Sequence, residues 1–136
     1  MADAANESPP THEPTLRAIA MPADANARGD IFGGWILAQM DLAGGSAAVR
    51  RAKGRVATVG IASMSFHRPV LVGDEVSAYT TVSKVGRTSI TIAIEVWARR
   101  FAAEETVKVT EGVFTYVAID ADRKPRPVPR ETSESH

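Results

Sequence analysis

One stretch decides the fold: GGWILAQMDLAGGSAAVRR, residues 33–51. Its apolar and small residues recur at spacings of three and four, which predicts an α-helix with one broad apolar face. They are Ile36, Leu37, Met40, Ala43, Gly44, Ala47 and Ala48. The second half, AGGSAA, contains only small residues, which allow another backbone to approach closely. We therefore expect a helix that begins at Gly33 or Gly34, ends near Arg51 and is enclosed by the rest of the chain.

Five other segments have the composition of β-strands. They are LRAIAM (16–21), VATVGIASMSF (56–66), DEVSAYTTVSKV (74–85), TSITIAIEVWARR (88–100) and ETVKVTEGVFTYVAID (105–120). In 88–100, isoleucine and valine alternate with polar or smaller residues, which is the period of a strand. In 105–120, five apolar residues all occupy odd-numbered positions: Val107, Val109, Val113, Val117 and Ile119. This pattern favours a single buried face along the whole strand.

The connections between the later strands are short, VGRT (85–88) and FAAE (101–104). Since a parallel connection needs a dozen or more residues, these strands are expected to be antiparallel neighbours. The order β-α-β-β-β-β then predicts an α+β domain, in which one long helix covers one face of an antiparallel sheet. Open sheet edges bind other edges readily. We therefore expect the chain to pair with a second copy and to be at least a dimer.

The whole chain has 136 residues, 44% of them hydrophobic, which suits one domain. Sixteen Lys and Arg balance sixteen Asp and Glu, so the net charge does not indicate a nucleic-acid-binding protein. No stretch is long and apolar enough to span a membrane, and the first residues lack the pattern of a signal peptide. A cytoplasmic location is therefore expected. Residues 1–14 and 132–136 are polar and are expected to be tails, the first of them disordered, on either side of one domain at 15–131.

Several catalytic motifs are absent from the sequence. The chain has no cysteine, which excludes a thiol nucleophile, a cysteine-based zinc site and a disulfide framework. It also has no P-loop, no dinucleotide-binding glycine motif and no nucleophile elbow. His67 is the only histidine outside the tails, which is too few for a histidine-rich metal site, and we expect it to be structural or to contact a ligand from its loop. No metal and no organic cofactor is expected.

Asp41 is the one carboxylate in the predicted helix. Its neighbours three and four positions away are Leu37, Ala38, Gly44 and Gly45, so it lies on the apolar or closely packed side and has no basic partner there. One interpretation is an aspartate exposed to water at the margin of the apolar face. The other is a carboxylate held in a partly dry cleft, as general-base or nucleophilic catalysis requires.

Gly33 and Gly34 stand where the helix begins. The first N–H groups of a helix have no internal partner and carry partial positive charge, and without side chains a ligand oxygen can approach them, as in an oxyanion hole. A glycine-rich connection imposed by packing is the alternative. Gly34 lies about 10 Å from Asp41 along the axis, at ~1.5 Å per residue. A site that uses both must therefore combine Gly34 of one subunit with Asp41 of another.

The segment NARGDIFGGWILAQMD (26–41) resembles the signature of hotdog-fold acyl-CoA thioesterases, in particular the YciA-like branch. The resemblance continues through RVATVGIASMSFHRPVLVGDEV (55–76), KVGRTSITIAIEVW (84–97) and VFTYVAIDADRKPRPVPRE (113–131), and it covers 15–131. It implies a hotdog fold, which is an antiparallel β-sheet wrapped around one long central helix, with dimers that merge their sheets and commonly hexamers of three dimers. It also implies hydrolysis of acyl-CoA to CoA and a free carboxylic acid.

Transferred to this chain, the resemblance implies that Asp41 is the catalytic carboxylate, acting on water as a general base or on the thioester as a nucleophile. Asn26 would orient the water or the carbonyl from the opposite subunit. The backbone N–H of Gly34, with that of Gly33, would stabilise the oxyanion. The secondary substrate contacts it suggests are Thr58 and Ser63, on the strand after the helix.

Coenzyme A carries a 3′-phosphate and a diphosphate, so its site needs cations. Two basic segments, KVGRTS (84–89) and RKPRPVPR (123–130), could supply them. The candidate contacts are Lys84, Arg87, Ser89, Arg126 and Arg130, with Arg123 and Lys124 in the same segment and His67 and Arg68 at lower rank. Each could equally be an ordinary solvated side chain, but at least two of them are expected to touch phosphates.

Two other functions are compatible with the same fold. A non-catalytic acyl-CoA or lipid-binding module would account for a pocket and the basic segments, but it leaves Asp41 without a purpose. A dehydratase acting on 3-hydroxyacyl thioesters normally needs a histidine near the carboxylate, and this helix has none. A DNA-binding regulator is the weakest candidate, because no residues remain for a separate helix-turn-helix.

Overall fold

The computed structural model describes residues 7–131, so positions 1–6 and 132–136 of the expected tails lie outside it. The elements are β1 (Leu16–Ile19), a short 3₁₀ turn (Pro22–Asp24), α1 (Gly33–Ala52), β2 (Val56–Phe66), β3 (Glu75–Val85), β4 (Ser89–Arg99) and β5 (Thr106–Ala118). The predicted helix and all five predicted strands are present. Residues 7–14 form neither helix nor strand, and the ring of His12 packs edge-on against Tyr79.

The five strands form one antiparallel sheet in the order β1-β3-β4-β5-β2, and α1 packs against one face of it. The buried residues of the helix are Ile36, Met40, Ala43, Gly44, Ala48 and Ala52. On β4 the predicted alternation is confirmed, since Ile90, Ile92 and Ile94 are all buried. Burying each such side chain contributes roughly 1.5–3 kcal/mol. The predicted α+β arrangement of one long helix on an antiparallel sheet is therefore confirmed.

In β5 the prediction that the odd-numbered residues form one buried face along the whole strand was wrong. Val113 and Val117, which share the parity of Val109, are only half-buried, and beyond residue 110 the even-numbered residues are the buried ones. The register between β4 and β5 leaves Val109 without a partner. Such a bulge adds one residue to one strand and moves every later side chain to the opposite face. As a result Tyr116 faces the helix.

The two edges of the sheet are different. β1 is only four residues long and pairs with Glu75–Ala78 of β3, so within residues 7–131 no strand pairs with the second half of β3 on that side. β2 forms the other edge with 11 residues, and it exposes Val59, Ile61 and Phe66. A long edge strand with exposed apolar side chains is a surface that another strand can cover. Within residues 7–131, no helix is long and apolar enough to cross a membrane.

Candidate active site

The helix N-terminus presents two unused backbone donors. Phe32 precedes the helix and provides no side-chain cap, and its carbonyl accepts the N–H groups of Trp35 and Ile36. Within residues 7–131, the N–H groups of Gly33 and Gly34 have no acceptor. A Cβ added at either glycine would meet no atom within 4 Å, so packing inside one subunit does not require glycine there. The open space leaves both donors accessible to a carbonyl oxygen.

The loop before the helix holds Asn26 in a compact turn. Its side-chain oxygen accepts hydrogen bonds from the backbone N–H groups of Arg28 at 2.9 Å and Asp30 at 3.1 Å. Gly29 completes the turn with φ of 90°, a conformation that favours glycine. Asn26 is an exposed residue, and its side-chain nitrogen has no acceptor within the described part of the chain. That amide group therefore remains able to donate to a ligand.

Asp41 lies in the middle of α1, half-buried between the helix and the sheet. Its oxygen Oδ1 accepts two hydrogen bonds, from the Thr58 hydroxyl at 2.8 Å and from the Tyr116 hydroxyl at 2.9 Å. The other oxygen, Oδ2, accepts none from residues 7–131. The carboxylate is thus held in place by two hydroxyls and keeps one free oxygen. This half-buried, hydrogen-bonded position favours the interpretation of a carboxylate partly shielded from water over one fully exposed at the margin of the apolar face.

Tyr116 is the site residue that sequence reasoning missed. It pairs directly with Thr58 in the register of β2 and β5, so both side chains project from the same face of the sheet towards Asp41. Burial raises the pKa of Tyr116 far above its usual range, and the hydrogen bond to Asp41 and its negative charge raise it further. The hydroxyl therefore stays protonated and acts as a donor. The bulge at Val109 turns this residue towards the helix, and the pattern along β5 alone does not show this.

Ser63, the other predicted contact on β2, lies away from this cluster. Two register shifts separate it from Thr58, one after Thr58 and one after Ala62. Ser63 is exposed and has φ of 55°, which places it at the second irregularity of the strand. The structure therefore brings Thr58 to Asp41 but does not bring Ser63 there.

The glycine donors and the carboxylate do not meet within one subunit. α1 runs without interruption from Gly33 to Ala52, so Gly34 and Asp41 are about 10 Å apart at ~1.5 Å per residue. Thr58, which holds Asp41, belongs to the exposed edge strand β2. The carboxylate cluster therefore borders the surface that a second subunit would cover.

The two predicted basic segments are neighbours in space. The N–H of Val128 donates to the carbonyl of Arg87 at 2.8 Å, which ties the C-terminal segment to the turn after β3. Lys84, Arg87 and Arg130 are exposed, while Ser89 is half-buried. These side chains are available at one end of the molecule, the end where α1 finishes.

Arg126 of the same segment has a structural task. Its Nε donates to the carbonyl of Ile119 at 3.1 Å, and its Nη2 donates to the carbonyl of Ala52 at 3.0 Å, at the last residue of α1. A Cβ at Gly54 would come within 2.5 Å of the same Nη2. Arg126 therefore satisfies a helix-end carbonyl and complements the negative end of the helix dipole.

His67 also makes contacts within the fold. Its Nε2 lies 3.1 Å from Oε2 of Glu111, whose other oxygen accepts from Lys108 at 2.7 Å. The hydrogen bond from Lys108 lowers the pKa of Glu111, and the bond to His67 lowers it further against the opposing effect of burial. His67 also lines a shallow cavity of about 320 Å³ beside Gly33. It is thus anchored by a carboxylate next to the helix N-terminus.

Comparison with known proteins places these features in a family. Residues 28–100 match the model of the thioesterase superfamily. The acyl-CoA thioester hydrolase YciA of Salmonella typhimurium is 52% identical over 126 residues, which are 90% of this chain and 95% of that protein. A hexameric hotdog fold thioesterase of Campylobacter jejuni superposes with a TM-score of 0.84 at 41% identity, over 92% of this chain and 96% of that one. A hexameric broad specificity acyl-coenzyme A thioesterase superposes with a TM-score of 0.87 at 46% identity, over 95% and 89% of the two chains. The sheet wrapped around one helix is therefore the hotdog fold, and this chain belongs to the thioesterase superfamily, as a relative of the YciA acyl-CoA thioester hydrolases.

Proposed function

We propose that this chain hydrolyses acyl-CoA thioesters to CoA and free carboxylic acids. The observation that carries the proposal is the Asp41 carboxylate, which is half-buried, fixed through Oδ1 and free at Oδ2. It lies on a helix whose glycine N-terminus is open to a ligand oxygen. The name of the relative from Salmonella typhimurium, acyl-CoA thioester hydrolase, supports the same reaction.

The active site is shared between two subunits. Gly34 and Asp41 of one chain are too far apart to act on one carbonyl carbon, and the edge strand next to Asp41 exposes apolar side chains. Pairing of β2 with β2 of a second copy brings the glycine N–H donors of one subunit to the Asp41 carboxylate of the other. The hexameric relatives support an assembly of at least a dimer, which we take to be a trimer of dimers.

In the reaction, the thioester carbonyl oxygen receives hydrogen bonds from the N–H of Gly34, with that of Gly33, in one subunit. Oδ2 of Asp41 in the other subunit either removes a proton from the attacking water or attacks the carbonyl carbon itself. If Asp41 has taken a proton from water, the tetrahedral intermediate collapses to the free acid as the C–S bond breaks, and Asp41 passes that proton to the leaving CoA sulfur. If Asp41 has attacked, breaking of the C–S bond leaves an acyl-aspartyl anhydride and the CoA sulfur takes up a proton from solvent; water then hydrolyses the anhydride to the free acid and restores the carboxylate. Asn26 orients the water or the carbonyl through its free side-chain nitrogen.

The CoA phosphates bind at the basic end of the molecule, through at least two of Lys84, Arg87, Ser89, Arg126 and Arg130. The exposed cations Lys84, Arg87 and Arg130 are better placed for this than Arg126, which already donates to three backbone carbonyls. A carboxylate and backbone donors suffice for the chemistry, so the proposed enzyme needs no metal and no organic cofactor. CoA esters are highly charged and do not cross membranes unaided, which supports a cytoplasmic location.

Thiol release from a series of acyl-CoAs, from acetyl to palmitoyl, tests the reaction. The purified chain is expected to release free CoA thiol from some members of the series. Asp41→Ala is expected to remove most of this activity while the oligomer keeps its size in size-exclusion chromatography. Unchanged turnover in Asp41→Ala would contradict the proposal. Tight binding of CoA esters without thiol release by the wild type would instead identify a non-catalytic binding module.

A further inference from the structure

Tyr116 holds a hydroxyl deep in the fold at the proposed catalytic carboxylate. Only 1% of its surface is exposed, and its ring stacks near that of Phe114 with centroids 6.5 Å apart. Its hydroxyl and that of Thr58 reach the same oxygen, Oδ1 of Asp41, from two adjacent strands. Two donors on one oxygen fix the plane of the carboxylate as well as its position.

The arrangement makes the two carboxylate oxygens unequal. Oδ1 accepts both hydrogen bonds, while within residues 7–131 none reaches Oδ2. An oxygen that accepts two hydrogen bonds has its charge stabilised and is a poorer base and nucleophile than one that accepts none. The contacts of Tyr116 and Thr58 thus leave Oδ2 as the oxygen that can act on water or on a thioester.

The approach of the hydroxyl depends on a missing side chain in α1. A Cβ at Gly44 would overlap the hydroxyl oxygen of Tyr116 and lie 2.8 Å from Cδ1 of Ile94. A Cβ at the adjacent Gly45 would lie 3.8 Å from the Tyr116 ring, which is an ordinary contact. Glycine inside a helix costs about 1 kcal/mol relative to alanine. At Gly44 this cost is offset by the access it gives to Asp41.

We propose that Tyr116 is a positioning residue for Asp41: with Thr58 it holds Oδ1, so that Oδ2 faces the substrate, and Gly44 provides the space for its hydroxyl. This inference rests on the proposed hydrolysis. It adds that Oδ2 of Asp41 is the reacting oxygen and that Tyr116 and Thr58 hold Oδ1. A buried tyrosine with a purely structural role would also need a partner for its hydroxyl. The test must therefore measure catalysis and folding separately.

Tyr116→Phe removes the hydroxyl and keeps the ring. With the best acyl-CoA of the series above, kcat is expected to fall about 10- to 100-fold, the size of a hydrogen bond to a charged group, with little change in KM. In an Asp41→Ala background the residual thiol release is expected to fall no further, because the hydrogen bond from Tyr116 to the Asp41 carboxylate is already absent. If the Tyr116 hydroxyl had a purely structural role, Tyr116→Phe would lower activity both in the wild type and in the Asp41→Ala background.

Gly44→Ala and Gly45→Ala form a matched pair of variants at adjacent positions of the same helix. Gly44→Ala is expected to lower kcat as Tyr116→Phe does, and Gly45→Ala to keep the wild-type kcat. This pair carries the test by itself if Tyr116→Phe does not assemble. The inference is overturned if Tyr116→Phe, or Gly44→Ala, assembles and turns over like the wild type while Asp41→Ala loses most of the activity. That result leaves the hydrolase assignment standing, whereas an inactive wild type would refute the assignment itself.

Discussion

The shared site can be tested by mixing two inactive variants. Gly34→Pro removes one backbone N–H from the first turn of α1, where proline is tolerated because that N–H has no helical partner. Loss of one oxyanion donor is expected to lower kcat by about 10²- to 10³-fold. Asp41→Ala removes the carboxylate and is expected to lose most of the activity. Each variant by itself should therefore give almost no thiol release.

In a mixed dimer, the two lesions fall in the same site. If each site combines Gly34 of one subunit with Asp41 of the other, a dimer of Asp41→Ala with Gly34→Pro has one site with both lesions and one site with neither. Equal mixing with free exchange gives mixed dimers in half of the cases, so about a quarter of the wild-type activity is expected to return. A site built within one chain predicts no recovery, because every chain carries a lesion.

The assay is thiol release after the two variants have been unfolded together and refolded, or coexpressed with different affinity tags. Purification through both tags proves that mixed oligomers are present. Gly34→Ala is the matched control, since it keeps the N–H and its Cβ meets no atom within 4 Å; it is expected to lose far less activity than Gly34→Pro. Proven mixed oligomers with no recovery would refute the shared site.

Three further results are expected. Arg126→Ala removes the bonds to the end of α1 and is expected to lower the free energy of unfolding by about 1–3 kcal/mol, measured by urea denaturation, whereas Arg130→Ala should leave it unchanged. Arg87→Ala is expected to raise KM for acyl-CoA with little change in kcat, because the exposed cation is proposed to contact phosphate in the ground state as well as in the transition state. Burial raises the pKa of Tyr116 above its usual value of 10.0. In Tyr79→Phe, Tyr116 is the only tyrosine left in the chain. This variant is therefore expected to show no tyrosinate absorbance as the pH passes 10.0, as long as it stays folded. Tyrosinate formation near that pH in the folded chain would contradict the buried, carboxylate-bound hydroxyl.

Some of the site could be predicted because its chemistry is local in the chain. Gly33 and Gly34 at a helix start and Asp41 on its closely packed side are visible in one short stretch, since helical spacing alone fixes which residues share a face. The same spacing gives the separation along the axis, from which the sequence predicts that a site using both groups needs a second subunit. Thr58 was expected to be a secondary substrate contact, which stays a prediction; the structure shows its hydroxyl donating to Asp41.

The sequence by itself determined the helix, the five strands and their antiparallel connections, because periods of 3.6 and 2.0 residues and short turns are properties of neighbouring residues. The tertiary structure alone decided that Tyr116 meets Asp41, 75 positions away in the chain. That contact depends on the bulge at Val109, which reverses the faces of β5, and on the register that sets Tyr116 opposite Thr58. Register and bulges are set by pairing between distant strands, so a pattern read along one strand could not show which face the tyrosine takes.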